Sequence, residues 1–186
     1  DSLFAGYGLA AQDTFCAQLE RALRADGHDV KVVNGAVSGD TSADGLARLG
    51  WSLADKPDLV LLELGANDML RGLDPAITRA NLDTIMGRLR AAHVPVVLIG
   101  MKAARTLGPD YDAKFDSIYP DLAGKYGVPL YPFVLNGVAM DPKLVQADGL
   151  HPNPQGVAIE VKRMLSTIEK ALPSNSSPSM GEARRG

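Results

Sequence analysis

Ser2, Gly39, Asn67, Asp148 and His151 make a set of residue types able to move an acyl group. Ser2 offers a hydroxyl nucleophile and His151 an imidazole to take its proton. Asp148, three residues before that histidine in "DGLHPNPQG", offers a carboxylate to orient it. Gly39, in "NGAVSGDTSADG", lacks a Cβ, so a substrate can approach its backbone N–H. Asn67, in "ELGANDML", carries a neutral amide that donates without needing a proton. Acyl transfer to water needs a nucleophile, a base, an orienter for that base, and donors for the developing oxyanion. Ser2 N–H, Gly39 N–H and the Asn67 amide can fill the last role. Their order along the chain is immaterial, because such sites are defined by geometry and roles.

Taken one at a time, each residue has an ordinary structural explanation. A Ser after Asp caps or turns a chain, and a Gly after a strand supplies backbone freedom. Asn-Asp after a strand is a helix-start signal, and Asp-x-x-His is a loop ion pair. His28 and His93 fall near helix ends, where capping or solvation accounts for them. Cys16 lies within a helical pattern and reads as a small buried hydrophobe rather than a nucleophile. It is the lone cysteine, so no disulfide can form within the chain.

The elements that must carry these residues follow from hydrophobic periodicity. Apolar runs at 30–35 ("VKVVNG"), 58–65 ("DLVLLELG"), 94–101 ("VPVVLIGM") and 128–133 ("VPLYPF") read as short strands buried on both faces. Amphipathic stretches alternate with them. Phe15, Leu19, Ala22 and Leu23 share one helical face, and Leu82, Ile85, Met86 and Leu89 another. Val157, Val161, Met164, Leu165, Ile168 and Leu172 form the last stripe. Asp74-Pro75 and Asn153-Pro154 mark helix starts, and Pro120 predicts a kink or two short helices over 112–126. Strict alternation of strand and helix argues for a parallel sheet covered on both faces, with ligands beyond the carboxyl ends of its strands. The candidate residues sit at those ends.

Bulk properties narrow the classes. With 186 residues, 46% of them hydrophobic, the chain has material for one core and too little for two. We assign 1–172 to a single domain and 173–186, small, polar and unpatterned, to a disordered tail. A net charge of −3 with mixed signs gives no footprint for nucleic acid. No apolar run is long enough to span a bilayer. The sequence holds no metal-ligand cluster, phosphate loop or nicotinamide fingerprint, so no cofactor and no metal are expected. It leaves the oligomeric state open, a homo-oligomer included.

The blocks "DSLFAGYGL", "NGAVSGDTSADGLARL", "LGANDMLRG" and "DGLHPNPQG" resemble, in order and spacing, those of the SGNH or GDSL-type hydrolases. The segments "GYGL", "SGDTSADGLARL", "ELGANDMLRGL" and "YGVPLYPF" are most similar to the bacterial arylesterase and thioesterase/lysophospholipase branch. The resemblance implies a three-layer α/β/α sandwich with a flavodoxin-like parallel sheet. It implies Ser2 as nucleophile, Asp148 and His151 completing the triad, and Ser2, Gly39 and Asn67 as the oxyanion hole. No Gly-x-Ser-x-Gly elbow is present. In the family a first strand precedes the Asp-Ser pair, so the sequence is expected to continue upstream of Asp1. Enzymes of this branch are often exported, which points to the periplasm or beyond.

The expected substrate is a small acyl or aryl ester, cleaved through an acyl-enzyme. Met69, Leu70, Leu107, Tyr111, Phe115 and Leu150 lie near the strand-end loops as candidate pocket residues, although core packing explains any one of them as well. Carbohydrate O-acetyl esters, acyl thioesters and lysophospholipids fit the same machinery. A catalytically silent binding module is the alternative from another class.

Overall fold

The computed structural model describes residues 1–173. Helix α1 (Ser2–Ala5) opens the chain, and a 3-10 turn (Ala11–Asp13) leads into α2 (Phe15–Ala25). Then come α3 (Ser42–Ala47), α4 (Leu49–Ser52), β1 (Val60–Glu63), α5 (Ala66–Leu70) and α6 (Pro75–Ala91). The chain continues through β2 (Val96–Ile99), α7 (Pro109–Asp116), α8 (Ile118–Tyr126), β3 (Leu130–Tyr131) and α9 (Pro154–Glu169). The sheet is parallel, in the order β1-β2-β3, with Leu62 opposite Leu98 and Leu98 opposite Leu130. Helix α2 packs on α9, while α6 packs on α8, and helices of both pairs touch the sheet. This is the three-layer α/β/α arrangement.

Local signals start and stop the helices where the sequence suggests. Asp74 accepts from Ala76 N–H with Pro75 in the first turn of α6, and Asn153 accepts from Gln155 and Gly156 N–H with Pro154 opening α9. The segment around Pro120 is two helices, because Pro120 falls in the first turn of α8, where no N–H bond is required. Phe15, Leu19 and Leu23 of α2, and Val157, Val161, Met164 and Ile168 of α9, are buried against one another and the sheet. The four residues of β2 are all buried, which places that strand at the centre of the core. His28 pairs with Glu169 at 3.3 Å, and His93 takes a φ of +56° just past α6. Both serve helix ends.

The expected strand at 30–35 is a correction. Val30 to Gly35 joins no strand of the sheet, and Val33 is exposed. Side chains take over the backbone groups that a ladder would use. Val32 N–H donates to Glu20 Oε2 at 2.7 Å, Val30 O accepts from Arg24 Nε, and Gly35 O accepts from Arg48 Nη1. The other strands are shorter than their apolar runs, partly because Pro95 and Pro129 at their starts have no N–H to pair. The tail expected over 173–186 lies, beyond its first residue, outside the described residues.

No helix among the described residues is long and apolar enough to cross a membrane.

Candidate active site

Ser2 sits in the first turn of α1, where the Asp1 carboxylate accepts from Leu3 N–H at 3.1 Å and fixes the helix start. Its hydroxyl faces the loop before α9. Ser2 Oγ lies 2.9 Å from His151 Nε2, and His151 Nδ1 lies 2.7 Å from Asp148 Oδ2. The other oxygen of Asp148 accepts from the N–H groups of Leu150 and His151 at 2.9 and 3.0 Å. Those two backbone donors, followed by the His151 ring, hold the Asp148 carboxyl down to about 2, so it stays ionised. The carboxylate thus fixes the imidazole and favours a proton on Nδ1, which leaves Nε2 free to accept from Ser2. The histidine is half-buried and the aspartate exposed.

The second half of the site comes from the loop after Gly35 and from the start of α5, just after β1. Gly39 has φ +89°, which a side chain would strain, and open space lies where its Cβ would stand. The Gly39 carbonyl accepts from Arg71 at 2.8 Å, and Arg48 bonds Asp40 at 2.6 Å. Asn67 Nδ2 donates to Asp40 O at 2.9 Å, which turns the amide and leaves its second hydrogen unused. Among the described residues, neither Ser2 N–H nor Gly39 N–H donates to a protein acceptor. Free donors facing open space are what a developing oxyanion needs.

Beneath these loops lies Asp68, fully buried, whose importance the sequence did not signal. It accepts from Ser42 N–H at 2.7 Å, from Ser42 Oγ, and from Thr78 Oγ1 at 3.1 Å. Asn81 donates to the same Ser42 hydroxyl at 3.0 Å. Read along the chain, Asp68 is only the second half of a helix-start pair.

The candidate pocket residues divide. Leu70, at the end of α5, and Leu107 and Leu150, on loops, are exposed. Tyr111 is half-buried, with its hydroxyl on Leu73 O at 2.9 Å. Phe115 is fully buried between Tyr111 and Tyr119, and Met69 packs into the core, so neither faces open space. Proximity to a strand-end loop does not say which way a helical side chain points. Cys16 is largely buried, its thiol pushed up to about 11, and takes no part in the site.

A serine hydroxyl at a helix start, a histidine and a carboxylate on one short loop, and free N–H groups beside them make an arrangement able to carry serine hydrolase chemistry, on a doubly covered parallel sheet. A model of the GDSL-like lipase/acylhydrolase family matches residues 1–159. The chain belongs to that family. It is 42% identical over 153 residues to the esterase TesA of Pseudomonas aeruginosa, covering 82% of this chain and 76% of that protein. It is 42% identical over 156 residues to an arylesterase of Vibrio mimicus, covering 83% and 78%. The solved structure of AlinE4, an esterase of the SGNH-hydrolase family, superposes with a TM-score of 0.78 at 47% identity, over 94% of each chain.

Proposed function

We propose that the chain hydrolyses small carboxylic esters through an acyl-enzyme on Ser2, with His151 as base and Asp148 as its orienter. That it is an ester hydrolase follows from its family and from relatives named as esterases. The residue roles are inferred from the geometry, and the observation that carries them is the continuous Ser2–His151–Asp148 chain at 2.9 and 2.7 Å.

In the first half-reaction His151 Nε2 takes the Ser2 proton as Oγ bonds to the ester carbonyl carbon. The carbonyl π electrons move to its oxygen, which Ser2 N–H, Gly39 N–H and Asn67 Nδ2 receive. On collapse the carbon–alkoxy bond breaks, and the departing alcohol takes the proton from His151. Water then gives a proton to His151 and attacks the acyl carbon. Ser2 Oγ leaves and takes that proton back. Asp148, already ionised, stabilises the imidazolium in both halves and does not itself accept a proton.

Short acyl or aryl esters are the substrate class we infer first, and Leu150, exposed beside His151, offers them a small apolar contact. Nitrophenyl esters of increasing chain length, assayed beside acyl-CoA, a lysophospholipid and an acetylated sugar, rank the substrate classes. Ser2→Ala is expected to abolish turnover with an unchanged melting transition, and an organophosphonate is expected to label Ser2. Near-parental hydrolysis by Ser2→Ala would remove the nucleophile assignment.

A further inference from the structure

Gln146 lies outside the triad and the oxyanion donors, yet one side-chain amide of Gln146 joins the nucleophile's turn to the base's loop. Its Nε2 donates to Tyr7 O at 2.8 Å and to Pro152 O at 2.9 Å. Tyr7 belongs to the turn that ends α1, where the N–H groups of Gly6 and Tyr7 both donate to Ser2 O at 3.2 Å. Pro152 directly follows His151, and Gln146 N–H donates to His151 O at 2.7 Å. The turn is shaped around this amide, since a Cβ on Gly8 would collide with Gln146 Oε1. Held in this way, the Tyr7 ring lies over His151 with centroids 4.6 Å apart and planes 37° from parallel.

Two neutral hydrogen bonds from a half-exposed amide add little to stability. Their leverage is on distance instead. The loop around Asp148 is exposed, and a displacement of about 1 Å between reacting groups can cost about a hundredfold in rate. We propose that Gln146 is a positioning residue for the base. By clamping Tyr7 against the imidazole and holding Pro152, it keeps His151 Nε2 within reach of Ser2 Oγ. The Tyr7 ring is the surface through which it acts. The inference rests on the Ser2–His151 reading above.

The test is steady-state hydrolysis of nitrophenyl acetate, with rates normalised to folded protein by circular dichroism below each variant's melting midpoint. Gln146→Ala removes both hydrogen bonds. Gln146→Glu keeps the shape but turns carboxylate oxygens towards two carbonyls. Both are expected to lower kcat by about tenfold or more with KM within about twofold of the parent. Tyr7→Ala is expected to lose a similar factor, and Tyr7→Phe, which keeps the ring, to recover most of it. Because the two residues act as one unit, Gln146→Ala/Tyr7→Ala is expected to be no slower than the slower single variant. A fall in kcat smaller than about tenfold in Gln146→Ala, or a rise in KM with kcat held, overturns the positioning role. Losses that multiply in the double variant overturn the shared clamp. Phosphonate labelling of the parent separates the two levels. An unlabelled Ser2 refutes the triad reading itself, whereas a labelled parent with unaffected Gln146 variants refutes only the inference.

Discussion

Asp68 and Asp148 are both carboxylates that hold a part of the site in place, but their surroundings are opposite. Asp68 is fully buried and accepts from Ser42 and Thr78, which lie on different elements beneath the Gly39 and Asn67 loops. Asp148 is exposed and satisfied within its own loop, by Leu150 N–H, His151 N–H and the imidazole. The proposed oxyanion side is therefore built into the core, and the proposed base side is laid on its surface. A buried carboxylate whose donors lose it leaves them unpaired in the dry interior. An exposed one can be replaced by water at little cost to the fold. Damage to the first should register in stability, and damage to the second in turnover.

The largest expected effect on turnover short of removing the nucleophile is at Asp148. Asp148→Asn keeps the loop's shape but favours the wrong tautomer of His151. It should lower kcat by about a thousandfold to ten-thousandfold, as loss of this orienter does in serine proteases, with the melting temperature unchanged. A melting temperature that falls in step with kcat would erase the contrast with Asp68. The same carboxyl, held down to about 2, remains charged through ordinary acid, so turnover should not be lost to protonation of Asp148 until pH falls towards that value.

Next in size is Asn67→Ala, which removes one oxyanion donor and should cost about a hundredfold to a thousandfold in kcat. Its bond to Asp40 O is also lost, so a small fall in melting temperature accompanies it. Asp68→Asn reverses the balance. One amide N–H must face the Ser42 N–H or a hydroxyl it formerly accepted from, and destabilisation of about 1–3 kcal/mol is expected in chemical denaturation. Turnover per folded molecule should drop by less than about tenfold, because Asn67 and Gly39 keep their other anchors, Asp40 O and Arg71. If Asp68→Asn proved as stable as the parent, the buried network would not be what holds these loops.

The sequence showed most of what lies at the reacting atoms and little of what supports them. Ser2, Asp148 and His151 could be picked out because, with Gly39 and Asn67, they complete the set of groups that acyl transfer needs, and the structure brings their side chains together. Asp68 and Gln146 could not. Asp after Asn is an unremarkable helix start, and a loop glutamine is unremarkable anywhere; their weight comes from Ser42 and Tyr7, far away in the chain. The strand at 30–35 failed for a related reason. Hydrophobic runs report burial potential, but a strand needs a neighbour to pair with, and here Glu20, Arg24 and Arg48 meet its backbone instead. For Phe115 and Met69 the structure takes the core-packing reading, because nearness to a strand-end loop does not say which way a helical side chain points.

Glu160 extends the comparison to a carboxyl that is buried with neither the donors of Asp68 nor the solvent of Asp148. It lies inside α9 with no exposed surface, and neither of its oxygens has a hydrogen-bond partner. Burial first, and then the charge of Glu63, push it up to about 9 from an ordinary 4.5. The folded chain therefore keeps a proton that the unfolded chain releases across that window. Stability is highest below the ordinary value and is lost progressively as pH rises towards the folded one. Glu160→Gln cannot ionise, so it should leave kcat unchanged and flatten the decline. Urea denaturation at pH 5 and pH 8 checks this: the parent should lose stability between the two, and the variant should lose much less. Equal declines in both proteins would mean that Glu160 is not the group that titrates, and that a carboxyl without partners costs this core no more than Asp68 does.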